Sequence, residues 1–256
     1  MTAPAVAFAV DAEGQEVFWR LDQHTLVAGV TGSGKSSATY EIIRGAAGMV
    51  NVRVCGVDPT GILLGPFAHH PWVAVGSSKS DLVAAIDTLS AIEAELDRRV
   101  TALSEVGLDA IPYSWLDRSL PSIVVVLEEY AALQMQLGRG ERSEVERMVA
   151  RIGMEGRKAR INLLISVQRP EAKLLEGVRS QLTQIVCMAQ TDVASIKMAS
   201  EVLVEDRSLV TLILGAQAGQ GVLVRPGMSP TPFRARLLDY EGYRRALAAA
   251  HGGRVG

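Results

Sequence analysis

The stretch Leu26-Val27-Ala28-Gly29-Val30-Thr31-Gly32-Ser33-Gly34-Lys35-Ser36-Ser37 restricts this chain more than any other, because it runs from an apolar strand through a glycine-rich turn into a helix. Gly29 and Gly34 bracket four residues and are followed by Lys35 and Ser36, which is the spacing of a phosphate-binding loop. The glycines let the backbone fold tightly enough to aim several N–H groups at one anion, in conformations that side chains would obstruct. The helix behind the turn adds its positive end. Residues 29–37 (Gly29, Val30, Thr31, Gly32, Ser33, Gly34, Lys35, Ser36 and Ser37) are therefore expected to cradle the phosphates of ATP. In that arrangement Lys35 reaches the β- and γ-phosphates and the Ser36 hydroxyl takes one position on Mg²⁺.

A strand that feeds such a turn belongs to an α/β fold, and composition agrees. Of the 256 residues, 48% are hydrophobic and only 5% aromatic, which suits a buried sheet lined by Val, Ile, Leu and Ala. The net charge of −2 gives no global basic signature, so any nucleic-acid contact must come from a local patch. Cys55 and Cys187 each sit inside an apolar run and are expected as buried, reduced thiols. No apolar run approaches the length of a membrane span, and the N-terminus lacks the basic flank of a signal peptide; a cytoplasmic location is the expectation.

Taken in order, residues 4–10 and 16–21 read as a hairpin around Asp11-Ala12-Glu13-Gly14. Residues 25–29 form the first core strand and residues 35–49 its helix. Residues 52–57 form a second strand ending in Asp58-Pro59-Thr60-Gly61. After a short strand over 72–75, Ser80-Asp81 is expected to cap a helix reaching residue 106, with Glu93, Glu95, Asp97, Arg98 and Arg99 on its wet face. Residues 122–127 are the most β-branched segment of the chain and end in Glu128-Glu129. A helix over 142–160, a strand over 162–167, a short helix over 172–182, a strand over 185–190, helices over 192–198 and 205–212, a glycine-rich loop over 215–221, strands over 222–225 and 233–238, and a last helix complete the chain. Strands alternating with helices imply a doubly wound, mainly parallel sheet with helices on both faces. The expected division is a hairpin over 1–24, an ATPase domain over 25–250 and a flexible tail over 251–256.

Carboxylates at the tip of a central strand, beside a phosphate loop, suggest metal binding for Glu128 and polarisation of the attacking water for Glu129. The acidic strand is expected to lie next to the phosphate-loop strand. Gln168, ending the following core strand, is placed to donate to a γ-phosphate oxygen or to orient the water. Asp58 holds a similar position, with turn capping as the plain alternative. Arg147, Arg151, Arg157, Lys158 and Arg160 are candidates for a trans-acting arginine finger or for DNA phosphates, with simple solvation as the alternative. His69-His70 lack partners for a metal site, and Trp19, Trp72 and Trp115 are too scattered to form a stacking platform.

The succession Gly29-Val-Thr-Gly-Ser-Gly-Lys-Ser36, Gly56-Val-Asp-Pro-Thr-Gly61, Val124-Val-Val-Leu-Glu-Glu-Tyr-Ala-Ala-Leu133, Gly156-Arg-Lys-Ala-Arg-Ile161 and Ser166-Val-Gln-Arg-Pro170 resembles the motor domain of the FtsK/SpoIIIE family, and within it the transfer proteins of actinobacterial conjugative plasmids. The resemblance spans residues 15–240. It implies a RecA-like ATPase using ATP and Mg²⁺, assembled as a homo-oligomeric ring, usually a hexamer, that moves double-stranded DNA, with a membrane-bound protein as a further partner. It gives Lys35 and Ser36 the phosphate and Mg²⁺ roles, Glu129 that of catalytic acid and Gln168 the sensor position. Three positions depart from the family's pattern: Glu128 stands where Asp is usual, Thr60 replaces the Lys after Asp-Pro, and Gln184 falls near a common arginine. A protein-secretion ATPase of the type VII kind and a non-hydrolysing P-loop scaffold are the alternatives.

Overall fold

The computed structural model describes residues 3–252. Strands β1 (Ala5–Val10) and β2 (Glu16–Arg20) form the N-terminal hairpin, and β3 (His24–Ala28), fully buried, leads through the glycine turn into helix α1 (Lys35–Gly48). Then come β4 (Val52–Asp58), β5 (Val73–Val75), the long α2 (Lys79–Glu105), β6 (Ser122–Leu127), α3 (Tyr130–Gln136), α4 (Arg139–Glu155) and β7 (Ile161–Val167). The chain continues through the single turn α5 (Ala172–Leu175), β8 (Leu182–Met188), α6 (Val193–Ala199), α7 (Val202–Glu205) and α8 (Arg207–Leu214). It closes with β9 (Gln220–Val224), β10 (Thr231–Ala235) and α9 (Tyr240–Gly252).

All ten strands join one sheet in the order β2-β1-β10-β9-β8-β3-β7-β6-β4-β5. The block from β8 to β5 is parallel, whereas β9, β10, β1 and β2 add on antiparallel to one another. Alternation sorts the side chains. On β6, Ile123, Val125 and Leu127 enter the core that also holds Leu89, Ile92 and Leu96 of α2 and Val145 and Met148 of α4. Val124 and Val126 face the opposite core, with Ile42 and Ile43 of α1 and Tyr243 of α9. Both faces are thus covered, as parallel strands require, and the fold is α/β, with a mainly parallel sheet between two layers of helices.

Several local expectations need correction. The acidic strand β6 does not lie beside β3: β7 pairs with both and sits between them. Helix α2 is capped by Ser78, whose Oγ accepts from the Asp81 N–H while the Asp81 carboxylate accepts from the Ser78 N–H, a reciprocal box two residues earlier than Ser80. The helix expected over 172–182 shrinks to α5, and Leu182 already opens β8. A helix not foreseen, α3, follows Glu129 directly, and α4 runs from Arg139 to Glu155 rather than over 142–160. Of the expected tail, residues 251 and 252 continue α9, and 253–256 lie outside the described residues.

Candidate active site

The carboxyl ends of β3, β7 and β6 open side by side, and the loops leaving them converge on one lysine. At the end of β3 the Gly29 N–H donates to Val167 O (3.2 Å) and the Val30 N–H to Ala189 O (3.0 Å), so the turn is anchored to the strands on both sides. Gly32 (φ 82°) and Gly34 (φ 87°) occupy the left-handed region, which glycine enters without penalty. At Gly34 the requirement is doubled, since a Cβ there would fall 2.3 Å from the Gly219 nitrogen. The 215–221 loop therefore walls the turn, tied by the Gly219 N–H donating to Ser33 O (2.8 Å). Gly34 is the N-cap of α1 and provides no side chain to the first-turn amides; the first donor inside the helix is Ala38. An open helix start of this kind attracts anions.

Lys35 is 7% exposed and fully engaged: its Nζ donates to Glu129 Oε1 (2.8 Å) and Ser166 Oγ (2.9 Å) and lies 3.5 Å from Glu128 Oε1. The Thr31 hydroxyl donates to Gln168 Oε1 (3.3 Å), and Gln168 Nε2 reaches Glu129 Oε1 (3.5 Å). Lys35, Ser166, Glu128, Glu129, Gln168 and Thr31 thus form one connected group although β7 separates the acids from the phosphate loop. Glu129 is held at φ 45°, a left-handed backbone that costs a non-glycine residue on the order of 1 kcal/mol and persists because the start of α3 and the tip of β6 fix it.

Burial holds the Glu128 carboxyl above the usual carboxylate range, with Lys35 and Ser166 pulling the other way and Glu129 and Asp58 adding to the rise. Its Oε2 is buried without a hydrogen-bond partner among the described residues. An oxygen left over in this way, with the exposed Ser36 hydroxyl at the start of α1, fits a hard cation that draws its other ligands from phosphate and water.

Other residues singled out by sequence do different work. The Ser37 hydroxyl donates to Leu238 O (2.8 Å) and accepts from Leu238 N–H (3.3 Å), which commits it to the 236–240 segment. Asp58, buried, accepts from the Thr60 N–H (2.9 Å), Thr60 hydroxyl (2.7 Å) and Leu64 N–H (2.9 Å); it closes its own turn, and Thr60 is part of that closure. Gln184 lies at the amino end of β8, bonded to Arg20 and Thr25, the length of the strand away from the phosphate loop.

The arginines divide. Arg147 makes a bidentate pair with Glu93 (2.6 and 2.9 Å), and Arg151 bridges Glu93 and Asp97, so the expected wet face of α2 is an ion-pair seam against α4. Arg99 is 2% exposed and donates to Ala159 O (2.9 Å) and Glu95 (2.7 Å). Arg157, Lys158 and Arg160 precede β7 at the amino edge of the sheet, opposite the phosphate loop, and Arg160 stacks over Tyr113 (3.8 Å). His70 Nδ1 accepts from the Trp72 N–H (3.1 Å). Both cysteines are free and buried, their thiols pushed up to about 12 by burial.

Sequence reasoning passed over Ser166 as an individual residue. A lone hydroxyl in the apolar run Ile161–Val167 was its signal.

Comparison with known proteins follows the same lines. Residues 3–113 match the FtsK/SpoIIIE family. The chain is 30% identical over 184 residues to DNA translocase SftA of Bacillus subtilis (strain 168), a match covering 67% of this chain and 19% of that protein. It is 31% identical over 189 residues to DNA translocase FtsK of Oceanobacillus iheyensis, covering 67% and 24%. The chain therefore spans about a fifth to a quarter of the length of these relatives. Its fold is similar to that of the pCW3 conjugation coupling protein TcpA, solved as a monomer with ATPgS (TM-score 0.75, 21% identity, 96% of this chain and 70% of that one). The cytoplasmic domain of the Thermomonospora curvata type VII secretion ATPase EccC is also similar in fold (TM-score 0.71, 18% identity, 95% and 31%).

Proposed function

We propose, from the match of residues 3–113 to the FtsK/SpoIIIE family, that the chain is the ATP-hydrolysing motor of a double-stranded DNA translocase serving conjugative or mobile-element transfer. The observation that carries the reading is the Lys35–Glu129–Gln168–Thr31 chain of contacts, which couples the phosphate loop to the acid that would activate water. Lys35 exchanges its carboxylate partner for the β- and γ-phosphates of ATP, and Glu129, released from the ammonium, polarises the attacking water and takes its proton. Gln168, touching both Thr31 and Glu129, orients that water and registers the γ-phosphate. Residues 29–36 hold the phosphates through backbone amides. Ser37 contributes its amide only, because its hydroxyl is spent on Leu238. Ser36 and Glu128 are the residues that would hold Mg²⁺, which would supply positive charge to offset that of the phosphate oxygens. Glu128 reaches one carbon further than the usual Asp, which would change how its carboxylate meets the metal's water.

The working form is a homo-oligomeric ring, with a hexamer as the expected size, acting in the cytoplasm beside a membrane-bound partner. Residues 25–250 would be its motor unit, which the N-terminal hairpin joins through β1 pairing with β10. Among the described residues no helix is long and apolar enough to cross a membrane.

ATP hydrolysis measured with and without long linear duplex DNA tests the proposal. Duplex should stimulate the wild type in a salt-sensitive manner, and Glu129→Gln should lower turnover by about 100-fold or more while retaining ATP binding. The likeness to EccC favours a second reading, a motor for protein substrates, which predicts turnover indifferent to DNA. Equal background rates for the wild type and Glu129→Gln would instead mark a non-hydrolysing scaffold.

A further inference from the structure

An exposed leucine carries little meaning alone, since apolar atoms make up much of any protein surface. Leu237 is 92% exposed, more than any other large hydrophobic residue among those described, and its setting is unusual. It does not ride on a loose loop. On one side, the Arg236 N–H donates to Phe8 O (3.2 Å) and the Arg236 guanidinium pairs with Glu16 of the N-terminal hairpin (2.6 Å). On the other, both backbone polar groups of Leu238 are taken by the Ser37 hydroxyl. Asp239 then caps the start of α9, accepting from the Gly242 N–H (2.7 Å). A bare apolar side chain is thus fixed on rigid backbone, one residue from a contact with the first turn of the phosphate-loop helix.

A second partly exposed apolar residue follows three positions later. Tyr240 is 39% exposed, and its ring lies 6.2 Å from that of Tyr40, which stacks on Tyr243 at 4.6 Å. Tyr40 belongs to α1, little more than one turn beyond Ser36. The open start of α1 would receive the phosphates, and the Ser37–Leu238 contacts set the 236–240 segment, with its exposed apolar side chains, against the first turn of that same helix, next to where a nucleoside attached to those phosphates has to lie.

We propose that Leu237, with Tyr240 three residues on, is the platform for the nucleobase of the bound nucleotide. The inference rests on the phosphate-cradle reading and adds to it which part of this chain receives the base. Contact with the flat face of a base buries apolar area on both partners without reading its hydrogen-bonding edge. Pinning the segment in advance spares the ordering cost that a mobile loop would add on binding. It also gives the hairpin a part in the site, because Glu16 and Phe8 hold one end of the platform.

The test compares ADP with inorganic pyrophosphate, which fills the cradle but has no base, by calorimetric titration in Mg²⁺ of the whole chain as wild type, Leu237→Ala and Leu237→Met. The proposal expects Leu237→Ala to weaken ADP about five- to ten-fold, pyrophosphate to change by less than about two-fold, and Leu237→Met to keep most of the ADP affinity. ADP affinity unchanged in Leu237→Ala would overturn it, as would equal losses for ADP and pyrophosphate, which would mean that Leu237 acts on the cradle through Ser37. Wild type binding pyrophosphate as tightly as ADP removes the platform and leaves the cradle standing. Wild type binding neither removes both.

Discussion

Removing the Lys35 ammonium tests the electrostatics of the site without any nucleotide. Glu128 is 9% exposed, already pushed above its ordinary value of 4.5 by burial, and faces Glu129 across the lysine. In Lys35→Met the buried carboxylate loses its cation, and a buried charge left unpaired costs several kcal/mol. Glu128 has a cheaper way out, because it can bind a proton. Neutralising a carboxyl of ordinary value 4.5 at pH 7.5 spans three pH units, about 4 kcal/mol, and at pH 5 only about 1 kcal/mol. Those figures cap the penalty at each pH. The sign follows from linkage: Glu128 in the variant titrates above its unfolded value, so the folded state is favoured below that value and loses stability as pH rises. Urea unfolding followed by fluorescence of the buried Trp19 should give Lys35→Met a deficit against wild type of about 2–4 kcal/mol at pH 7.5, shrinking to about 1 kcal/mol or less at pH 5. Adding Glu128→Gln should recover most of the loss at pH 7.5. A deficit that is the same at both pH values, or that the second substitution leaves in place, would refute the claim that Lys35 neutralises a buried acid.

Three other measurements probe the scaffold. His24 is fully buried and its imidazole is held down to about 4, first by burial and then by Arg157, so the stability it supports is complete above about pH 6.5 and is lost as pH falls toward 4. By pH 5 the loss should reach about 2 kcal/mol in urea unfolding, and His24→Gln should flatten that slope. Gly34→Ala would press a Cβ into the Gly219 backbone at 2.3 Å, so ADP affinity measured by titration should fall by about ten-fold or more. Arg147→Ala and Arg151→Ala should each lower stability slightly, less in 1 M salt, and the double variant should cost more than the sum, because either arginine left alone still pairs with Glu93.

What could be read in advance was what is local. The turn at 29–36 follows from glycine geometry, and the buried strands β4, β6 and β7 follow from unbroken apolar runs. The order of strands does not, because each parallel connection is a long crossover and nothing in residues 122–127 states which strand will lie alongside. That is why β7 between β3 and β6 had to be seen. The partners of Arg147 and Arg151 are likewise hidden 54 residues away on α2, where the same charges read equally well as a solvated face. Residues 172–182 hold enough Leu and Ala to suggest a helix, yet Gly177 interrupts them and Leu182 is recruited to pair with His24 of β3. The left-handed backbone at Glu129 has no sequence signature, since a glutamate there is set by its surroundings rather than by its own preference.

The contact between Gly34 and Gly219 is made by main chain on both sides, with no pliable side chain between them to absorb a shift. The phosphate loop is therefore connected directly to the start of β9, onward to β10 through the Gly219 carbonyl bonded to the Ala235 N–H (2.7 Å), and from Arg236 to the hairpin. The sheet's border at β2, five places from β3 in the strand order, is in this way joined to the cradle by main-chain contacts and one ion pair, and a probe attached there should report the filling and emptying of the cradle.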